Sequence, residues 1–392
     1  MLKYRSSVKS RPPVRLCLVG AGHAHVEVLR ALAERPEPGI ALTLVTPHER
    51  TPYSGSLPGY LAGFYTASQM TIDAKGLARR AGARLHLERA VGLDPDVCRL
   101  ETESGERLDY DLLSLDIGSL PGRGAGEPGI PVKPIDRFTE TVDRILADAR
   151  SGNGPFRLAV VGTGAAGVEL AFAFLTRLPR ELGGRQFEIL LIGEEEEILS
   201  DRSPRTRVRL TRTLRSKGIE PVIGSRVERA EAGRLILANG REIVADTIVW
   251  AVTSRAPSWL ERTGLSLDAG GFVEVDKALR SLSHPNVFAA GDVASLPDPR
   301  PKAGVFAVRE GPILARNLRA AALGGSLRSF RPQSDWLNLL STGDGRAVAD
   351  KWGISLEGAW VWRWKDWNDR RFVERYNRFA GSSAERNRSG RV

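Results

Sequence analysis

A chain of 392 residues, 42% hydrophobic and 27% charged, has material for two or three domains around a sizeable core. No run approaches the roughly 18 apolar residues of a membrane span, and Cys17 and Cys98 form no CxxC pair, so neither a disulfide framework nor a cysteine-based zinc site is expected. The net charge of +10 sits at the two ends, five Lys/Arg without an acid in residues 1–15 and nine against four acids in residues 360–392, so the neutral body disfavours nucleic acid as a partner.

In chain order, residues 1–13 read as a disordered basic tail with no apolar leader, and a cytoplasmic location is expected. VRLCLVGAGHAHVEVLRALAER then gives a buried strand, a glycine turn and an amphipathic helix, and IALTLVTP gives the next strand. Short strands with turns follow through VGLDPDVCRLETESGERLDYDLLSLDIG, and PGRGAGEPGIPVKP reads as a crossover linker. The βαβ order returns at RLAVVGTGAAGVELAFAFLTRL and FEILLIGE, an internal duplication that implies two dinucleotide sites. Beyond it VERAEAGRLILANGREIVADTIVWAV reads as short strands, HPNVFAAGDVAS as a return to the first unit, and Gly304 to Leu323 as a helix. The expected architecture is α/β, with two Rossmann-like domains and the second inserted in the first. Residues 14–133 and 281–331 form one domain, 134–280 the other, 332–380 a small C-terminal α/β or helical segment, and 381–392 a second disordered basic tail.

The second glycine motif has Gly162, Gly164 and Gly167 at the required spacing. Gly162 permits a tight turn, Gly164 lets the backbone approach a pyrophosphate, and Gly167 lets helix pack on strand, so that helix amides face the phosphates. Glu194, at the end of the next strand, suits an adenosine ribose and repels a 2′-phosphate, which favours NADH over NADPH. Arg202, Arg205 and Arg207 either soften that preference or form a solvated helix face. The first motif, Gly20, Ala21 and Gly22, is weaker alone. His25 stands at the third glycine position, where an imidazole should hold helix and strand slightly apart, and Thr46 and Pro47 stand where an acid is expected. FAAGDVA supplies a complement: Gly291 admits a close ligand, and Asp292 can accept from ribityl hydroxyls. His23 and His25 contact phosphate, relay protons or simply pack in the turn; without nearby carboxylates or cysteines they make a poor metal site, and no metal is expected.

GTGAAGVE, the strand ends LSLDIGSLPG and VWAVTSRAP, and FAAGDVA, in this order, resemble the pyridine-nucleotide-dependent flavoprotein reductases over about residues 14 to 330. More narrowly, GAGHAHVEVL, PYSGSLPGYLAGFY, LLSLDIGS and PVKPIDRF resemble the flavoprotein module that in some proteins is joined to selenophosphate synthetase, itself similar to type II NADH dehydrogenases. The resemblance implies FAD along Gly20, Ala21 and Gly22, with Asp292 on its ribityl chain and Gly291 beneath it. It also implies a helix from Gly304 and Val305 aimed at the flavin pyrimidine ring, with Glu169 as the catalytic residue close to the nicotinamide. Hydride would pass from NADH to FAD mainly by positioning, and electrons on to a quinone or another small acceptor. The lack of a redox-active cysteine pair speaks against disulfide reductases and sulfide:quinone oxidoreductases. Against quinone, Val305 and Arg309 stand where type II NADH dehydrogenases carry a glutamine-rich segment. A soluble flavin reductase in selenium or related redox metabolism, and a non-enzymatic redox sensor, remain alternatives. Lys133 matches a family lysine or is simply exposed, and Tyr53, Ser54 and Pro58 line the flavin or an ordinary loop.

AWVWRWKDWNDRRFVERYNRF places Trp360, Trp364, Trp367, Phe372, Tyr376 and Phe379 near one helical face among Lys and Arg. Such a face suits the surface of an anionic membrane, where a peripheral protein meets a lipid-soluble quinone, or it packs on the first domain, or it joins a homodimer.

Overall fold

The computed structural model describes residues 12–122, 127–152 and 154–381. Most of the two expected basic tails and the middle of the Pro/Gly-rich linker lie outside the described residues. The helices are α1 (His23–Glu34), α2 (Leu57–Leu61), α3 (Ala67–Met70), α4 (Ala74–Arg80), α5 (Ile135–Ser151), α6 (Ala165–Leu182), α7 (Pro204–Ser216), α8 (Gly304–Leu323) and α9 (Ala359–Ala380). Among the described residues, no helix is long and apolar enough to cross a membrane.

Two parallel sheets carry the two glycine motifs, in the α/β architecture expected from the duplication. The first has the strand order Val287–Ala289, Leu112–Leu115, Val14–Val19, Ile40–Val45 and Arg84–His86, all parallel. Leu16, Leu18, Leu44 and Leu113 are fully buried, as strands covered on both faces require. α8 packs along α1, and Gly311 is where they touch: a Cβ there would lie 2.8 Å from Glu27 Cβ. The second sheet orders Ile130–Pro131, Thr247–Trp250, Phe156–Val161 and Phe187–Ile192, again all parallel. The chain has therefore joined the second sheet by Ile130, ahead of Lys133. The two crossings between sheets run side by side, since Leu120–Pro121 pairs antiparallel with Ser254–Arg255.

Local signals explain the shorter elements. Thr66 and Gln69 form a reciprocal capping box at α3, and Ser203 accepts from the Thr206 amide to start α7, with Pro204 in its first turn. The C-terminal piece is an antiparallel sheet, Asn338–Ser341, Ala347–Lys351 and Ile354–Gly358, followed by α9.

The aromatic stripe of α9 is two stripes, not one. Trp360, Trp364 and Trp367 are 49%, 38% and 52% exposed, whereas Tyr376 is buried and Phe372 and Phe379 pack against the first core. At 3.6 residues per turn, the five-residue step from Trp367 to Phe372 rotates the helix by about 140°. The inner stripe is fastened polarly as well: Tyr376 Oη donates to Glu27 at 3.0 Å, and Arg375 lies 3.2 Å from the same carboxylate.

Candidate dinucleotide cleft

Both glycine turns open on one continuous cleft of about 1290 Å³. On its first side the turn after strand Val14–Val19 is shaped by Asp116, at the end of the neighbouring strand. Gly20 has φ +85°, and a Cβ there would lie 2.3 Å from the Asp116 carbonyl oxygen. A Cβ on Gly22 would lie 2.2 Å from Asp116 Oδ1, and one on Gly291 2.6 Å from the same atom. Asp116 Oδ2 accepts the backbone N–H groups of Ala24 at 2.8 Å and His25 at 2.9 Å. Burial pushes the Asp116 carboxyl up to about 7, against the pull of these two amides.

His25 corrects an expectation. It does not line the cleft. Its Nδ1 lies 2.7 Å from the Gly20 carbonyl oxygen and its Nε2 2.8 Å from Ser114 Oγ, so both ring nitrogens are taken by protein. Burial lowers its pKa to about 4, so it is a neutral strut between the turn and the next strand. His23 lines the cleft, with its ring edge-on to Tyr53 and Phe372. Its Nε2 is shut off from solvent and has no hydrogen-bond partner, and burial lowers its pKa to about 4. α8 begins beside it: a Cβ on Gly304 would lie 3.0 Å from Ser54 Oγ and 3.3 Å from His23 Nδ1. Gly304 lines the cleft; Val305, in the first turn of α8, does not.

Asp292 is held before any ligand arrives. Its Oδ2 accepts from Lys133 Nζ at 2.6 Å and Ser119 Oγ at 2.8 Å, and the same ammonium donates to Ser254 Oγ at 2.9 Å. Burial works to raise the Asp292 pKa, but Lys133 and Ser119 outweigh it and the carboxyl titrates below its ordinary value. Lys133 is thus a clamp between the two crossing segments rather than an exposed residue. Beneath it, Glu310 of α8 accepts the Gly291 amide at 2.6 Å, and burial pushes its carboxyl up to about 8.

On the second side Gly162 has φ +121° and Gly167 presses on it: a Cβ on Gly167 would lie 1.8 Å from the Gly162 carbonyl oxygen. Gly164 has nothing within 4 Å of its Cβ position and lines the cleft, so it leaves the N-terminus of α6 open. Glu194 stands exposed on the rim beyond strand Phe187–Ile192.

Glu169, one turn into α6, also lines the cleft. Its Oε1 accepts the Ser341 amide at 2.8 Å, and burial raises its pKa to about 7, opposed chiefly by Lys365. Lys365 of α9 is buried, donating to Asp369 Oδ2 at 3.0 Å and to the Gly55 carbonyl at 2.8 Å. Burial works to lower the Lys365 pKa, but Asp369 and Glu169 outweigh it and hold the ammonium charged. In the sequence this pair looks like surface charge beside the tryptophans of α9.

These residues fit dinucleotides. The second glycine turn leaves the N-terminus of α6 open, the first faces the cleft with its Ala24 and His25 amides taken by Asp116, the cleft has the size of two extended ligands, and His23 Nε2 is a buried polar atom lacking a partner. Among the described residues, no group of three or more His, Cys, Asp and Glu is arranged to hold a metal. Cys17 is buried in the core with its thiol pushed up to about 12 by burial.

Residues 14–311 match the family described as pyridine nucleotide-disulphide oxidoreductase. An NADH dehydrogenase-like protein of Mycobacterium tuberculosis is 29% identical over 226 residues, covering 55% of this chain and 56% of the relative. The alternative NAD(P)H-ubiquinone oxidoreductase C1 of Arabidopsis thaliana is 30% identical over 264 residues, covering 59% of this chain and 50% of the relative. The chain thus spans about half the length of the curated relatives it matches. In fold it is similar to the sulfide:quinone oxidoreductase of Aquifex aeolicus, with a TM-score of 0.79, 16% identity, and coverage of 93% of this chain and 92% of that one.

Proposed function

The chain belongs to the pyridine nucleotide-disulphide oxidoreductase family, and from that premise we propose that it binds FAD at the first glycine turn and NADH at the second, and passes electrons from NADH to a quinone or another small acceptor. The observation that carries this reading is the single cleft onto which both turns and Glu169 open. On this reading the unit expected over residues 14–133 with 281–331 binds FAD and the unit expected over 134–280 binds NADH, with the boundaries moved to the paired crossings at Leu120–Pro121 and Ser254–Arg255.

Gly20, Ala21 and Gly22 let the FAD backbone approach α1, His23 and Asp292 offer polar contacts along it, and Gly304 starts a helix whose positive end faces the cleft. FAD bound there supplies the two-electron centre that takes hydride from NADH and releases electrons to the acceptor. Gly162 and Gly164 seat the second dinucleotide, and Glu194 on the rim suits a free ribose, which favours NADH over NADPH. Glu169 holds a proton near neutral pH, and with Oε1 on the Ser341 amide its Oε2 is the atom left to give or take it. Lys365 keeps that carboxyl from being too weak an acid for the task.

For the acceptor, support comes from the outer face of the C-terminal piece. Trp352, Ile354, Leu356, Trp360, Trp364 and Trp367 are all exposed, with Arg371 stacked over Trp367 and Lys351 over Trp352. Apolar rings among cations suit peripheral attachment to an anionic membrane at its cytoplasmic face, where quinone is dissolved. Quinone reduction is also what the names of the plant and Aquifex proteins describe for those proteins. A second reading, a soluble flavin reductase in selenium or related redox metabolism, is supported by the narrower resemblance of GAGHAHVEVL, PYSGSLPGYLAGFY, LLSLDIGS and PVKPIDRF, while Val305 and Arg309, which lack the glutamine amides of quinone-reducing dehydrogenases, speak against quinone. Steady-state NADH oxidation by the full chain separates them: rapid turnover with a short-chain ubiquinone supports the first, and turnover with selenite but not with quinone supports the second.

A further inference from the structure

We propose that Asp116 makes cofactor binding proton-coupled: its carboxyl has to be protonated for the FAD diphosphate to lie against α1, so that binding takes up a proton. The inference rests on the placement of FAD proposed above. Asp116 Oδ2 already occupies the Ala24 and His25 amides, at the helix end that a diphosphate over Gly20–Gly22 would face. Gly22 and Gly291 leave no room for a Cβ beside Oδ1, so the carboxyl fills the floor of the cleft between them. A carboxylate there would face two phosphate charges across a site that burial has stripped of water.

The surrounding groups do little to neutralise it. His25 on α1 is bound through both ring nitrogens, and burial keeps both it and His23 neutral. Glu310 of α8 and Asp292 add acid rather than base. Lys133 from the linker is committed to Asp292, and Lys302 donates to the Ala294 carbonyl. Protonation is also within easy reach, since burial already holds Asp116 near 7 in the free protein. The sign follows from linkage. Below pH 7 the acid is already neutral and affinity is full; above it FAD has to bring in a proton, and affinity falls by about tenfold per pH unit until the bound-state pKa is passed.

The test is FAD binding to the apoprotein of the full chain, followed by flavin fluorescence from about pH 6 to about pH 9, with proton uptake counted by calorimetry in two buffers of different ionisation enthalpy. The expected result is a Kd that rises about tenfold per unit above neutrality, with uptake approaching one proton, and in Asp116→Asn a flat Kd without uptake. Glu310→Gln should keep the slope. A flat Kd in the unsubstituted protein, or a slope that survives in Asp116→Asn and vanishes in Glu310→Gln, would overturn the inference while leaving the FAD site standing. Should Asp116→Asn not fold, the proton count on the unsubstituted protein decides, and zero uptake at alkaline pH overturns it. Failure to bind FAD at any pH would remove the functional reading and this inference together.

Discussion

A methyl group on Gly22 would sit 2.2 Å from Asp116 Oδ1, so the second glycine of the first turn is required by a neighbouring side chain as well as by any ligand. Gly22→Ala should destabilise the protein by about 1–3 kcal/mol through overpacking, and Gly22→Ala combined with Asp116→Ala should recover most of that loss. Urea unfolding of the four proteins in this cycle measures the coupling. Strict additivity would show that the two residues do not compete for one space.

Glu310 should make stability fall as pH rises. Its folded pKa of about 8 lies above the ordinary carboxylate value, so between the two the native state keeps a proton that the unfolded chain has released. The contribution is complete below the unfolded pKa and is lost at up to about 1.4 kcal/mol per pH unit until the folded pKa is reached. Glu310→Gln should remove that part of the slope. Parallel profiles for the two apoproteins would mean that Glu310 ionises in the folded state as it does in water.

Much of this fold is legible in the sequence because its strongest signals are local. VRLCLV and FRLAVV are apolar runs, each broken only by an arginine at its second position, that end in glycine turns and lead into helices, and both become inner strands of parallel sheets. What stays hidden depends on partners far along the chain. Asp116 reads as an ordinary strand end until the strand Leu112–Leu115 is seen to lie beside Val14–Val19, which carries its carboxyl to amides 91 and 92 residues away. His25 reads as an awkward substitute for glycine until Ser114 is placed opposite its Nε2. Lys365 and Asp369 are within reach of helical periodicity: they fall on the face that α9 buries, away from Trp364 and Trp367.

Glu194 stands exposed on the cleft rim with room for a larger side chain. Glu194→Arg should move the ratio of kcat/KM for NADPH over NADH upward by about tenfold or more, because a repelling carboxylate is replaced by a guanidinium that pairs with a 2′-phosphate. An unchanged ratio would place ribose recognition elsewhere.

The exposed tryptophans of α9 should matter to membranes and not to stability, since Trp360, Trp364 and Trp367 stand away from the core. Replacing all three by serine should leave thermal unfolding nearly unchanged while abolishing co-sedimentation with vesicles containing anionic lipid. Loss of folding instead would mean that the rings are covered by another part of the protein or by a second copy.

The central claim is that one cleft brings NADH and FAD together, and the visible spectrum of the FAD-loaded protein, taken anaerobically before and after NADH with a short-chain ubiquinone added last, tests it most directly. The account predicts a flavin spectrum that bleaches with one equivalent of NADH and returns when quinone is added. A flavin band that NADH leaves untouched, or the absence of any flavin band after reconstitution with FAD, would contradict it.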